Sequence, residues 1–162
     1  MEKHVPISLT VNGEPVEERV PARLNLVDFL RQNLSFTGSH VGCEHGVCGA
    51  CTVRVNGQIV RGCLMLATQA DGTKVETIEG VAASGEIADL QRAFIDHAAL
   101  QCGFCSPAML LTAAELVANR PDADRDEIRA YISGNYCRCT GYQAIVDAIE
   151  AVLVARRKDG LS

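Results

Sequence analysis

Of the 162 residues, 48% are hydrophobic and 22% charged, which suits a folded core and excludes a disordered or fibrous chain. Lys and Arg number 15 against 20 Asp and Glu, a formal charge of −5, and aromatics are 4% with no Trp, so the basic, ring-bearing face that nucleic acid needs is missing. No apolar run reaches the roughly 18 residues of a membrane span. Residues 1–5 have neither an h-region nor a twin arginine, so a cytoplasmic protein without membrane insertion is expected.

In chain order, Val5, Ile7, Leu9 and Val11 alternate with polar or small residues, Asn12-Gly13 is a hairpin turn, and residues 16–20 form the return strand. Asn25 can cap a helix through Leu34, with Leu26, Val27, Phe29 and Leu30 on its apolar side. A glycine-rich loop follows. Residues 52–55 and 58–61 flank Asn56-Gly57, a second hairpin signal, and residues 74–78 can add a last strand. The small, weakly patterned stretch 80–85 reads as a linker, dividing an α+β unit (1–79) from a helical one (86–162). In the latter, Ile87, Leu90, Phe94, Ile95 and Ala98 share a helical face, and Ser106-Pro107 reads as a cap with Pro at the first helical position of a helix ending near Asn119. Asp124 and Glu127 have capping-box spacing, for a helix stopping at Ser133-Gly134. Thr140 and Gln143 have the same spacing, ahead of an apolar stripe of Tyr142, Ile145, Val146, Ile149, Val152 and Leu153 and the basic run Arg156-Arg157-Lys158 at the negative helix end. Four helices of this length suggest a bundle.

The chemistry lies in eight cysteines, too sparse for a secreted disulfide scaffold and without an export signal to reach an oxidising compartment. They fall into two sets of four, separated by 38 residues: Cys43, Cys48, Cys51 and Cys63, then Cys102, Cys105, Cys137 and Cys139. The first set spaces its thiols by four, two and 11 residues, close to the plant-type [2Fe-2S] pattern, and Gly42, Gly46 and Gly49 allow the tight turns that bring sulfurs together and aim amides at an anion. Structural zinc, which favours paired C-x-x-C knuckles, fits this set poorly but competes for the second by spacing alone. Cys105 directly precedes the Ser106-Pro107 helix start, and Cys137 and Cys139 precede Thr140, so two helix N-termini are expected to face an anionic cofactor. Two oxidised clusters would bring the chain to roughly −9. Units of about 80 residues are marginal on core burial, so the metal sites are expected to act as staples too.

Three motifs, Gly42-Cys43-Glu44-His45-Gly46-Val47-Cys48-Gly49-Ala50-Cys51-Thr52-Val53, Gln101-Cys102-Gly103-Phe104-Cys105-Ser106-Pro107 and Gly134-Asn135-Tyr136-Cys137-Arg138-Cys139-Thr140-Gly141-Tyr142, together resemble the iron-sulfur subunit of the molybdenum hydroxylases, the xanthine oxidase family, over roughly residues 5–153. The resemblance implies an N-terminal β-grasp, ferredoxin-like domain and a C-terminal four-helix domain, each with one [2Fe-2S] cluster. It implies a large subunit with molybdopterin, often the cytosine dinucleotide, a medium FAD subunit, and a heterotrimer or dimer of heterotrimers relaying electrons from molybdenum to FAD. By the same resemblance Gln101 and Cys139 lie beside the pterin; the alternative for Gln101 is a helix-end residue. Gly62 stands where relatives commonly have Ser before the last ligand, which removes a possible hydroxyl near that sulfur and lowers the expected potential. His45 is read as solvated or backbone-bonded. No Walker or dinucleotide-binding glycine motif occurs, so FAD belongs on a partner chain, and no catalytic base or nucleophile is evident. Two other readings are a free-standing two-cluster electron shuttle and a zinc-stabilised interaction module.

Overall fold

The structure is a computed structural model, described over residues 3–160. Its first half is a five-stranded sheet in the order β2-β1-β5-β3-β4. β1 (His4–Val11) and β2 (Glu14–Pro21) form the expected antiparallel hairpin, with Asn12 and Gly13 at positive φ in the turn. β3 (Thr52–Val55) and β4 (Gln58–Arg61) form the second hairpin, again turning on an Asn-Gly pair. β5 (Lys74–Glu76) slots between the hairpins, parallel to β1 and antiparallel to β3. This is the β-grasp arrangement. Asn25 caps α1 as expected, its Oδ1 accepting from the Asp28 amide at 2.8 Å, but regular helix ends after Leu26–Asp28 and continues as a π turn, Phe29–Asn33. Leu26, Val27, Phe29 and Leu30 are fully buried there.

Residues 80–85, expected as a linker, lie largely in a helix instead. α2 (Ile78–Ala83) follows β5 directly, and its Ile78 and Val81 join the helical core. The small residues that looked unpatterned let this short helix pack close. A Cβ at Gly80 would meet the Asn12 side chain at 2.3 to 2.8 Å.

The four expected helices follow, so α2 is an additional short one. They are α3 (Ala88–Asp96), α4 (Ser106–Asn119), α5 (Arg125–Ile132) and α6 (Gln143–Lys158). α4 is apolar nearly all round because it is central, packing against α2, α3, α5 and α6 and against β3 and β4. Its Glu115 accepts from the Ile59 amide on edge strand β4 at 2.9 Å and from the Tyr131 hydroxyl at 2.7 Å, so a helix side chain occupies an otherwise open strand edge.

Helix starts divide by mechanism. Asp124 makes the expected capping box with Glu127. Ser106 does not cap α4, since Cys105 already has helical dihedrals and occupies the cap position, with Pro107 in the first turn as expected. The Thr140 box does not form either. The Thr140 hydroxyl is engaged by the Tyr142 amide and by Cys137 Sγ at 3.1 Å, and α6 begins only at Gln143, after Tyr142 in the left-handed region. Ile95, expected on the buried face, is 64% exposed because α3 turns only Leu90 and Phe94 inward. Arg156 of the basic run pairs with Asp89 of α3 through two hydrogen bonds of 2.7 and 3.0 Å.

Candidate metal centres

The eight cysteines are all free, and their thiols adjoin in pairs within each expected set of four. Residues 40–51 form a loop between α1 and β3 that carries Cys43, Cys48 and Cys51, while Cys63 follows β4. Within this set the Cys43 and Cys48 thiols adjoin, as do Cys51 and Cys63, and Cys48 lies close enough to Cys51 to oppose its ionisation. In the second set Cys102 and Cys139 sulfurs are 3.5 Å apart, and Cys105 faces Cys137. A tetrahedral metal with sulfur ligands at about 2.3 Å holds them about 3.8 Å apart, so a pair at this separation fits one metal ion. No three His, Cys, Asp or Glu among the described residues are grouped to close on a single ion. A [2Fe-2S] cluster needs no such group, since its four thiolates divide two to each iron, as the pairs here divide.

Local electrostatics differ along each set. The Cys48 amide, 3.3 Å from Cys43 Sγ, together with the His45 amide, holds the Cys43 thiol down to about 6. Burial pushes Cys51 up to about 11 and Cys105 up to about 12. At Cys137 burial is outweighed by the Thr140 hydroxyl and the Thr140 and Cys139 amides, and the net shift is downward. At Cys139 the adjacent Cys102 thiol drives the shift upward. Thiols kept protonated by burial must shed protons to bind metal, so loading either site releases protons. The two sites receive amides in different ways. α4 starts directly after Cys105, whereas α6 starts only at Gln143, and at Cys137 the loop amides of residues 139 and 140 stand where that helix end was expected.

Gln101 lies beyond the end of α3 and caps nothing in it; its side chain crosses to the other loop, donating from Nε2 to the Cys139 carbonyl at 3.2 Å. Gln101, Cys102 and Cys139 are all exposed, together with Phe104 and Tyr136. His45 is backbone-bonded, through Nδ1 to the Cys43 carbonyl. Gly62 is tightly enclosed: its amide donates to the Cys51 carbonyl at 3.1 Å, and a Cβ would meet Val27 Cβ at 3.0 Å.

Sequence reasoning missed how the two loops fasten to each other. The Tyr136 amide donates to the Cys48 carbonyl at 2.8 Å. His40 stacks on Phe104 with ring centroids 4.7 Å apart, and its Nδ1 is 2.8 Å from the Phe104 carbonyl. Beside these lies a polar knot in which Arg61 donates to Thr52 Oγ1, to the Gly134 carbonyl at 2.8 Å and to Asn135 Oδ1 at 3.3 Å. Thr52 in turn donates to the Gly49 carbonyl at 2.6 Å, and Thr112 of α4 donates to Asn135 Oδ1 at 3.3 Å. Most of these contacts span large sequence separations, and no local pattern announces them.

A β-grasp sheet and a helical unit, each with two adjoining pairs of thiols, have the organisation of an iron-sulfur protein. The family models for a 2Fe-2S iron-sulfur cluster binding domain and a [2Fe-2S] binding domain match residues 9–81 and 77–150. The chain is 54% identical over 155 residues to the caffeine dehydrogenase subunit gamma of Pseudomonas sp. (strain CBB1), covering 94% of this chain and 92% of that one. It is 48% identical over 145 residues to the nicotine 6-hydroxylase small subunit of Paenarthrobacter nicotinovorans, covering 90% and 87%. A crystal structure of quinoline 2-oxidoreductase from Pseudomonas putida 86 contains a chain that superimposes with a TM-score of 0.89 at 44% identity, covering 98% of this chain and 99% of that one. The chain belongs to the family of iron-sulfur subunits of the molybdenum hydroxylases. It is a non-catalytic, electron-transferring part of an oxidoreductase that works with partner subunits. Among the described residues no helix is long and apolar enough to cross a membrane.

Proposed function

We propose that this chain relays electrons between a molybdopterin centre on a large subunit, in the cytosine dinucleotide form, and FAD on a medium subunit, within a cytoplasmic heterotrimer or dimer of heterotrimers. Cys43, Cys48, Cys51 and Cys63 would hold one [2Fe-2S] cluster in the sheet unit, and Cys102, Cys105, Cys137 and Cys139 the other in the helical unit, the two units dividing close to α2. When bound, each cluster supplies one-electron storage. The observation that supports a relay over two independent sites is the 2.8 Å hydrogen bond from the Tyr136 amide to the Cys48 carbonyl. Cys48 belongs to one set and Tyr136 adjoins Cys137 of the other, so a path of covalent bonds and one hydrogen bond joins them. A free-standing shuttle would need little beyond the sheet unit, whereas nearly half of this chain positions the second set. About four iron and four acid-labile sulfide per chain are expected, with little zinc, in freshly isolated assembled protein. Iron near two would sink the two-cluster reading, and the copurifying chains with their molybdenum and flavin content test the partners.

Gln101 and Cys139 form the outer end of this relay and would contact the pterin. The Gln101 amide can donate and accept, and already orients the Cys139 carbonyl. Gln101→Ala is expected to leave iron content and both clusters intact while slowing cluster reduction by substrate or weakening cofactor retention, at a cost of about 1 to 3 kcal/mol for a polar partner left unsatisfied in the assembly. Rapid mixing with substrate, followed by bleaching in the visible, reads the effect. Unchanged rates with full molybdenum occupancy would assign Gln101 to loop structure alone.

A further inference from the structure

Arg61 is half-buried and hydrogen-bonded, yet all of its partners are neutral: Thr52 Oγ1, the Gly134 carbonyl and Asn135 Oδ1. Arg31 is likewise bonded only to neutral groups, the Thr37 and Ser39 carbonyls, each at 2.7 Å, whereas other arginines have carboxylate partners. Arg54 pairs with Glu86 and Glu76, Arg125 with Asp147 and Glu150, and Arg156 with Asp89. Among the described residues no carboxylate pairs with Arg61. A cation partly withdrawn from water without a counter-charge is costly, and although Arg61 keeps some exposure its partners Thr52 and Asn135 are each 1% exposed.

The knot lies between the two loops that carry the thiol sets. Arg61 lies two residues before Cys63, Thr52 follows Cys51, Gly49 follows Cys48, and Asn135 lies two residues before Cys137. The Arg61 guanidinium is seated against the backbone of the second loop, donating to the Gly134 carbonyl at 2.8 Å, and a Cβ on Gly134 would lie 2.7 Å from its Nη2. We propose that Arg61 is the shared counter-cation of the two clusters, a positioning residue whose charge favours their reduced forms while its fork holds the two ligand loops together. The proposal rests on the two-cluster reading given above. Reduction of a bound cluster by one electron would add one negative charge to it. A fixed cation held between the two ligand loops would lower the energy of that added charge and raise both potentials. The same fork keeps Gly134 and Asn135 against residues 49–52, where the Tyr136 amide meets the Cys48 carbonyl.

The test is an EPR-monitored redox titration of the intact chain in its assembly, with Arg61→Gln and Arg61→Lys compared with the parent. Arg61→Gln removes the charge and keeps a hydrogen-bonding side chain; it is expected to retain about four iron and to lower the potentials of both clusters, so that the reduced-to-oxidised ratio at fixed ambient potential falls about threefold to tenfold. Arg61→Lys keeps the charge and loses the fork; its potentials are expected to stay near the parent. Parent-like potentials in an iron-replete Arg61→Gln protein overturn the proposal. So does a shift confined to one cluster, and so does an Arg61→Lys shift as large as that of Arg61→Gln. If Arg61→Gln loses iron, an iron-replete Arg61→Lys protein with parent potentials still supports the charge requirement, and loss of iron from both variants reduces Arg61 to a fold clamp and overturns it. Iron and sulfide in the parent protein report separately on the two-cluster reading.

Discussion

Cys102→Ser is expected to abolish one of the two reduced-cluster EPR signals, preserve the other, and cut substrate-driven reduction of the assembly by at least about 100-fold. Cys102 and Cys139 form an exposed pair with sulfurs 3.5 Å apart, and the other two thiols of the set, Cys105 and Cys137, are engaged with each other rather than free to substitute. The surviving signal should be that of the sheet unit, whose core of Ile7, Leu9, Val11, Val20, Phe29 and Val53 is separate from the helical one. Cys48→Ser should do the reverse in spectroscopy and differ in kinetics. It removes a thiol of the sheet unit's proposed ligand set while the Cys48 carbonyl still accepts from the Tyr136 amide, so the helical cluster should still be reduced by substrate while onward transfer stops. EPR of dithionite-reduced protein, paired with stopped-flow reduction by substrate, separates the two outcomes. Loss of both signals in Cys102→Ser, while circular dichroism shows the sheet unit intact, would show that the two sets are not independent sites.

What the sequence revealed and what it hid follow from the range of the interactions. Both hairpins were legible because Asn12-Gly13 and Asn56-Gly57 are local turn chemistry, and α5 was legible because Asp124 and Glu127 make a capping box within four residues. The thiol sets were legible because ligand spacing is a local record of loop geometry. The misreadings have other causes. Ser106 and Thr140 have the right spacing for caps, but nearby groups of the metal loops take the cap position or the hydroxyl. Residues 80–85 carry too few large side chains to show a period, and become helical because Ile78 and Val81 find the helical core. The knot of Arg61, Thr52, Asn135 and Thr112 joins residues up to 74 positions apart, and a lone Arg at the end of a strand gives no sign of its partners.

The thiol electrostatics give the separate halves a common dependence on metal. Burial opposes ionisation at Cys51 and Cys105, so without metal these positions are neutral thiols, and the proposed iron ligation would require them to ionise. Each unit is small, and each of its metal loops is also the surface that contacts the other unit, through the His40 and Phe104 stack on one side and the Arg61 knot on the other. Order in either loop therefore supports the contact surface of its neighbour.

Gly49→Ala is expected to cost stability on the order of 3 kcal/mol, lowering Tm by roughly 6 to 12 °C in a chain of this size. Two penalties combine. Gly49 has φ of +75°, and a Cβ there would sit 2.4 Å from the Gly134 carbonyl oxygen and 3.0 Å from Asn135 Cα, so backbone rather than a flexible side chain would have to move. Moving it pulls Gly134 away from Arg61 and Tyr136 away from Cys48, which strikes the junction between the two thiol sets. Gly57→Ala isolates the first penalty, because Gly57 has φ of +83° but a Cβ added there would meet no atom within 4 Å. It should cost only about 1 kcal/mol. Thermal unfolding of the iron-replete proteins, with transfer between clusters followed after partial reduction, provides the comparison. Gly49→Ala should be clearly the less stable of the two and slower in transfer; equal destabilisation by the two substitutions would mean that the close approach of residues 49 and 134 contributes nothing beyond the turn itself.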